Sequence, residues 1–211
     1  MADQLAFFFD SSSCSGCKAC QAACIDKQDH EPGILWRRVY EVTGGDWSRK
    51  NGIWEPHVFA YNLSLACNHC QTAPCLAACP TGAIIKRPDG IVEILQERCM
   101  GCRYCEWACP YSAPQYDSTA GKMTKCDFCA DFLLEGKSPA CVSACPLRAL
   151  EFGELDDLKS QHGEGGRIFP LPPKEMAGPS LVIKPHKDSA RANTSNARAR
   201  IANAEEVNHV G

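Results

Sequence analysis

The spacing of cysteine is the feature that most constrains this chain. Sixteen of its 211 residues are cysteine, and they fall into four sets instead of being scattered. The third set runs from Cys99 to Cys109: three cysteines separated by two residues each, then a fourth after three more residues, followed by Pro110. Three thiolates so close in sequence reach one centre only if a short loop wraps around it, and Gly101 allows such a turn. The set therefore indicates a metal centre.

The same spacing holds [4Fe–4S] clusters in bacterial ferredoxins. Disulfides and zinc are the two alternatives. Secreted disulfide frameworks are short chains whose cysteines rarely repeat one metal spacing, and structural zinc sites use facing C-x2-C pairs. Here triplets are followed by a distant fourth cysteine, and this arrangement occurs four times. The pattern therefore favours iron–sulfur clusters over both alternatives.

The other three sets follow this pattern with small departures. Ile25 stands where the other sets have a proline after their last cysteine, and the second and fourth sets have longer segments before their third cysteine. His69 lies inside the second set and raises a Rieske-type site as an alternative, in which two histidines replace two cysteines. Because all four positions of that set are already cysteine, we expect His69 to lie beside a cluster or to face solvent.

In two-cluster ferredoxins the fourth cysteine of each set binds the cluster of the other set. Sets two and three are joined by a short link, so we expect them to pair with each other, and sets one and four to pair around them. The predicted ligands are Cys14, Cys17, Cys20 and Cys145 for cluster one; Cys24, Cys126, Cys129 and Cys141 for cluster two; Cys67, Cys70, Cys75 and Cys109 for cluster three; and Cys79, Cys99, Cys102 and Cys105 for cluster four. No cysteine is left over, so the chain is predicted to bind iron as four [4Fe–4S] clusters.

Hydrophobic patterning predicts the elements around the cysteines. Residues 5–9 form an apolar run typical of a buried strand. Apolar residues alternate on both sides of a turn-rich stretch that contains Gly44–Gly45 and Asn51–Gly52, which predicts a β-hairpin. Within it, Arg37 and Arg38 are expected on a solvated strand face or an interface patch.

The last quarter of the chain has a different composition. It is rich in proline and shows little helical or strand periodicity, so it is not expected to build a core of its own. The apolar residues 181–183 indicate that it lies as an arm on a partner. The predicted fold class is α+β: two nested bacterial-type two-cluster ferredoxin modules, the outer one from 1–32 and 111–153 and the inner one from 67–110, with a β-hairpin insertion at 33–66 and an extended C-terminal arm and tail at 154–211.

Charge and motifs exclude several classes of function. Twenty-two Lys and Arg residues against 25 Asp and Glu give a formal charge of −3, which argues against a nucleic-acid partner. No apolar run approaches the roughly 18 residues of a membrane helix, and the first residues lack the basic segment of a signal peptide. No dinucleotide fingerprint, P-loop or nucleophile motif is present. The chain is therefore predicted to be a non-catalytic electron carrier.

Short sequence segments around and between the cysteines show a further resemblance. G-G-D-W, V-F-A-Y, C-N-H-C, M-T-K-C-D, C-P-L-R-A-L-E-F-G and V-I-K-P resemble the iron–sulfur subunit of the dimethyl sulfoxide reductase family, over roughly residues 4–187. Partners of respiratory nitrate reductases have tryptophan where Cys102 stands, and partners of formate dehydrogenases end in a membrane helix; this sequence shows neither feature. Residues 188–211 resemble no family.

The resemblance implies an electron-transfer subunit of anaerobic respiration, placed between a molybdopterin catalytic subunit and a polytopic, quinol-oxidising membrane anchor. It implies that the outer cluster pair faces the catalytic subunit and the inner pair faces the membrane. The protein would lie peripherally on the cell membrane through these partners, on the outward side if a partner carries a twin-arginine signal, or on the cytoplasmic side. Two alternatives stay open: the electron-input subunit of another molybdoenzyme, acting on tetrathionate, polysulfide, selenate or an arsenic oxyanion, and a free polyferredoxin.

Overall fold

The computed structural model describes residues 4–194 and 197–207, which form small sheets joined by short helices. The strands are β1 Leu5–Asp10, β2 Arg38–Gly44, β3 Trp47–Lys50, β4 Ile53–Pro56, β5 Phe59–Leu65, β6 Ile84–Lys86, β7 Val92–Ile94, β8 Gln115–Asp117, β9 Lys122–Thr124, β10 Leu150–Glu154, β11 Leu181–Lys184 and β12 Arg200–Ile201. The helices are α1 Ala19–Gln28, α2 Pro74–Ala77, α3 Tyr104–Ala108, α4 Ala130–Leu134, α5 Ala140–Ser143, α6 Leu155–His162, α7 Ser189–Ala192 and α8 Ala204–Val207. Residues 1–3 of the predicted outer module, and 195–196 and 208–211 of the predicted tail, lie outside the described residues.

The sheet β10–β1–β11 is the centre of the fold. β1 runs antiparallel to β10, with Phe9 opposite Leu150, and parallel to β11, with Phe7 opposite Leu181. Because β1 is buried along nearly all its length, the prediction of a buried strand at residues 5–9 is confirmed. Side chains alternate along a strand, so Phe8 packs against α6 on one face, while Phe7 and Phe9 join the core that contains the cysteines.

A second sheet, β12–β2–β5, contains the predicted hairpin. β2 and β5 pair antiparallel from Arg38 opposite Leu65 to Gly44 opposite Phe59. Between them, β3 and β4 form a smaller hairpin whose residues are all exposed, with its turn at Asn51–Gly52. The alternating pattern thus predicted the hairpin correctly, and its inner part projects from the body of the protein.

Short helices carry many of the cysteines. α1 contains Cys20 and Cys24, whereas α2, α3 and α5 each contain one, which are Cys75, Cys105 and Cys141. α1 packs against α5, and α2 packs against α3. The helices of sets one and four are therefore neighbours, as are those of sets two and three.

The C-terminal region differs from the predicted arm on a partner. Its apolar residues 181–183 are buried beside β1 of the same chain, and α6 packs on the same sheet. Farther along, β12 pairs with β2, and Val207 of α8 is buried. Sequence periodicity did not indicate this because the pairing is long-range: Asp10 and Lys184 form an ion pair although they are 174 positions apart. Among the described residues, every helix is too short or too polar to cross a bilayer.

Candidate metal centres

One group of thiols surrounds a pocket beside the central sheet. The thiols that border this pocket are those of Cys14, Cys17, Cys20 and Cys145. The loop before α1 curls around it through two residues with positive φ, Gly16 at 74° and Lys18 at 60°. The third set repeats this path, with Gly101 at 72° and Arg103 at 64°. The predicted tight turn of the loop is present in both sets, and it directs neighbouring sulfurs toward one space.

A second cavity is bordered by thiols of sets two and three. The thiols around it are those of Cys79, Cys99, Cys102 and Cys105. Partial burial raises the pKa of Cys79, but a hydrogen bond with the Thr81 hydroxyl and nearby backbone N–H groups outweigh burial and lower it below the usual value. The environment of this sulfur therefore favours the thiolate, the form that binds metal.

A third group of thiols is fully or nearly fully buried. Burial, followed by the charges of Cys141 and Cys129, raises the pKa of Cys24 to about 12. Burial, with Cys24 foremost among the neighbouring charges, raises the pKa of Cys126 well above its usual value. Mutual effects of this kind require neighbouring thiols. Cys24, Cys126, Cys129 and Cys141 therefore lie near one another, and Cys67 of the second set also acts on Cys126.

The last group lies in the inner part of the chain. Burial, followed by the charges of Cys67 and Cys109, raises the pKa of Cys70 to about 12. Burial and then Cys67 likewise raise the pKa of Cys75 to about 12. Thiols with such values stay neutral at pH 7 unless a metal binds their thiolates. The division of all sixteen thiols into four ligand sets, and the binding of one cluster by each set, stay predictions.

Backbone N–H groups point at several of these sulfurs. Their donors are Ala113 to Cys109 at 3.5 Å, Met123 to Cys99 at 3.4 Å, Phe128 to Cys126 at 3.4 Å and Ala149 to Cys145 at 3.3 Å. Hydrogen bonds to sulfur stabilise negative charge, and they are one of the means by which proteins set cluster potentials.

The arrangement of the thiols tests which metal they fit. Zinc holds four sulfurs at about 2.3 Å in a tetrahedron, which leaves no open space between them. Here four thiols instead border a pocket in each of two groups. Within residues 4–194 and 197–207, no three metal-binding side chains converge closely enough to hold a single ion. The residues fit a cluster with several metal atoms.

Two buried arginines correct the expectation of an exposed strand face. Arg37 and Arg38 are 2% and 3% exposed. Burial opposes the charge of Arg37, but the neighbouring Cys141 and Cys20 outweigh it, so its pKa is raised. Arg38 instead donates from Nη2 to the carbonyl oxygen of Tyr111 at 2.9 Å. Alternation did not indicate this burial because it assigned charged residues to the solvent side of the strand.

His69 lies in the interior, so it does not face solvent. Its Nδ1 accepts a hydrogen bond from the Val92 N–H at 3.0 Å, which places the proton of the neutral ring on Nε2. Burial, and then the charge of Lys125, lowers the pKa of His69 well below its usual value. Lys125 is itself buried and donates to the Cys126 carbonyl oxygen at 3.0 Å. Lys125 was not predicted to lie near the thiols, because its position directly before Cys126 is the only indication of this in the sequence.

An exposed apolar patch lies near the cavity of sets two and three. Met100 borders that cavity and is 65% exposed, while Tyr104 and Trp107 of α3 are 51% and 74% exposed. The two aromatic rings lie 5.7 Å apart between centroids. We call these three residues the α3 patch. Exposed apolar residues in one patch are typical of an interaction surface.

Comparison with known proteins agrees with this geometry. Residues 58–155 match the family model of a 4Fe–4S dicluster domain. The chain is 50% identical over 207 residues to the B subunit of anaerobic dimethyl sulfoxide reductase from Escherichia coli (strain K12), a match covering 98% of this chain and 100% of that protein. It is 49% identical over 186 residues to the protein of that name from Haemophilus influenzae, covering 88% of this chain and 91% of the relative. It is also 38% identical over 166 residues to the thiosulfate reductase electron transfer subunit PhsB of Salmonella typhi, covering 78% of this chain and 83% of that subunit.

Proposed function

Because the chain belongs to the family of the anaerobic dimethyl sulfoxide reductase B subunit, we propose that it relays electrons through four [4Fe–4S] clusters to a catalytic subunit. The observation that carries this proposal is that two groups of four thiols each border one pocket, namely Cys14, Cys17, Cys20 and Cys145 in one group and Cys79, Cys99, Cys102 and Cys105 in the other. In each group, three cysteines come from one set and the fourth from its partner set. This is the crossover of two-cluster ferredoxins.

We further propose two nested modules. The outer module, residues 1–32 and 111–153, would hold clusters one and two, and the inner module, residues 67–110, would hold clusters three and four. The packing of α1 on α5 and of α2 on α3 supports this division. The hairpin of β2 and β5 lies between the modules in sequence, and its Arg38 bonds to Tyr111 at their junction.

The chain's own residues would provide the environment for electron transfer. When bound, each cluster accepts and donates one electron at a time. Phe9, Val39 and Leu150 form apolar walls of the first cavity and exclude water from it. Backbone N–H groups hold the sulfurs and stabilise the charge that accumulates on them. The chain would supply no catalytic residue, because the reaction takes place on another subunit.

The proposed partners are a molybdopterin catalytic subunit and a polytopic, quinol-oxidising membrane anchor. The α3 patch supports a protein contact next to cluster four, and we assign it to the anchor. The protein would then lie peripherally on the membrane, with the inner clusters toward the anchor and the outer clusters toward the catalytic subunit. The relative with 38% identity is named for thiosulfate reductase, so an electron-transfer subunit of another molybdoenzyme is the second candidate.

The test is metal analysis of the complex isolated anaerobically from membranes. We expect about 16 iron atoms per chain, all in [4Fe–4S] clusters, and co-purification of both partners. About 8 iron atoms, or stoichiometric zinc, would overturn the assignment of half the thiols. Recovery of the protein as a free monomer with intact clusters would favour the polyferredoxin. Reduction of thiosulfate by the complex, without reduction of dimethyl sulfoxide, would favour the second candidate.

A further inference from the structure

Arg37 lies at the boundary between the two outer groups of thiols. It precedes β2, is 2% exposed, and its Cζ lies 4.7 Å from the centroid of the Phe7 ring. Its Nη1 donates to the Ser64 hydroxyl oxygen at 3.2 Å, and that hydroxyl lies 3.3 Å from the Cys20 sulfur. Arg37 is therefore fixed in one orientation by packing and by a hydrogen bond.

The rest of its guanidinium is without a conventional partner. Nε and Nη2 are buried and form no hydrogen bond with any described residue, and no described carboxylate forms an ion pair with Arg37. A buried cation with unsatisfied donors is costly, so such a group normally faces an anion. The neighbouring groups whose charges act most strongly on Arg37 are the sulfurs of cysteines: Cys141, Cys20, Cys126 and Cys24.

These four cysteines divide between two ligand groups. Cys20 belongs to the first group, and the other three belong to the second. Arg37 is connected to Cys20 through the Ser64 hydroxyl, and its backbone N–H interacts with the sulfur of Cys24, so it lies beside a predicted ligand of each outer cluster. Other buried cations act on thiols of the proposed inner module: Lys125 acts on Cys75, and Arg38 acts on Cys109.

We propose that Arg37 is a shared positive charge that raises the reduction potentials of both outer clusters. This inference rests on the proposed function. Reduction adds one electron, and therefore one negative charge, to a cluster beside the guanidinium. The attraction is stronger in the reduced state than in the oxidised state, and weak solvent screening in the interior enlarges the difference. No proton accompanies the electron, because arginine keeps its proton at all working pH values.

The consequence is a direction for electron flow within the chain. With Arg37 in place, electrons that arrive at the inner clusters find the outer pair easier to reduce. Without the positive charge, the outer pair becomes harder to reduce, and transfer toward the catalytic subunit becomes less favourable. Arg37 is a positioning residue in this sense, since it acts through the clusters and touches no substrate.

The test is a potentiometric titration of the isolated complex, followed by electron paramagnetic resonance. In Arg37→Gln we expect two of the four clusters to lose at least tenfold in their equilibrium constant for reduction, a fall of 59 mV or more each. The other two should change less than twofold. Arg37→Lys keeps the charge and should recover most of the shift. Arg49→Gln, in the exposed strand β3, is the matched control and should leave all four unchanged.

Several results would overturn the inference. The first is that Arg37→Gln contains all four clusters and their reduction potentials are unchanged. The others are that the potential of only one cluster falls, or that the potentials of all four fall equally. The number of clusters in the wild-type complex tests the proposed function separately. Should Arg37→Gln lose its outer clusters, wild-type protein with ¹⁵N in its arginine guanidinium groups provides a second measurement. Pulsed resonance should detect ¹⁵N coupled to both reduced outer clusters, and no coupling there would refute the proposal.

Discussion

Arg38 joins three segments that are far apart in the sequence, so its replacement is a sharp test of the fold. From β2 its Nη2 donates to the carbonyl oxygens of Tyr111 at 2.9 Å and Ser112 at 2.8 Å, and its Nη1 donates to that of Val207 at 3.4 Å. Tyr111 and Ser112 directly follow Cys109 and Pro110 of the third set. Arg38 thus connects the hairpin, the end of the inner module and the C-terminal helix α8.

The cost of removing it follows from these contacts. Each short hydrogen bond from a charged donor contributes about 1.5–3 kcal/mol, and the 3.4 Å bond contributes little. Loss of the buried charge relieves part of its desolvation, which offsets some of the loss. We therefore expect Arg38→Met to destabilise the protein by about 3 kcal/mol. For a chain of this size, that corresponds to a fall in Tm of about 6–12 °C.

The assay is the loss of visible iron–sulfur absorption when the anaerobic complex is heated at one scan rate. Arg38→Lys keeps the charge but lacks the planar fork, so it should recover only part of the fall. Arg49→Met, in the exposed strand β3, is the control and should melt with the wild type. A Tm of Arg38→Met within about 2 °C of the wild type would refute the reasoning.

Three further predictions address the interior, the central sheet and the path of electrons. Burial, and then the charge of Lys125, lower the pKa of His69, so the histidine stays neutral in the folded protein. In the unfolded chain it binds a proton below its ordinary pKa of 6.5, and this favours unfolding. The free energy of unfolding should therefore fall by about 1.4 kcal/mol from pH 7 to about pH 5.5. His69→Gln should remove this part of the pH dependence of Tm, and an unchanged slope would show that another group causes it. Val182 is 1% exposed in the contact of β11 with α6, so Val182→Ala should cost about 2 kcal/mol, measured as a fall in Tm of about 4–8 °C; no fall would mean that β11 adds nothing to stability. Cys102→Ser removes one of four thiols around the second cavity, so we expect a [3Fe–4S] signal, loss of quinol-driven turnover and persistence of dye-driven turnover. Full quinol-driven turnover alongside that signal would exclude this cluster from the path.

The sequence was informative wherever its constraints were local. The spacing of cysteines in a loop depends on the shape of the metal centre that the loop surrounds. A few adjacent residues were therefore enough to predict the cysteine sets and the turns at Gly16 and Gly101. Period-two alternation and turn residues likewise predicted the pairing of β2 with β5 and the buried strand β1.

Long-range contacts were not available from such patterns. The parallel pairing of β1 with β11 depends on residues more than 170 positions apart, so the apolar residues 181–183 were interpreted as a surface for a partner. The burial of Arg37 and Arg38 depends on thiols and carbonyl groups supplied by other segments. Charge alone assigns such residues to the surface, whereas their actual surroundings supply the compensating groups.

The position of β11 beside β1 also sets the order in which the molecule can be made. A ribosome releases the chain from its N-terminus, and segments fold as soon as their partners have emerged. The cysteines of the proposed inner module span residues 67–109, so this module can fold early in synthesis. The first three cysteines of the chain must wait for Cys145, and β1 must wait for residues 181–184. Maturation should therefore proceed from the inside outward, and a nascent chain stalled before residue 145 should already bind its inner iron while its N-terminal thiols remain open to oxygen and chaperones.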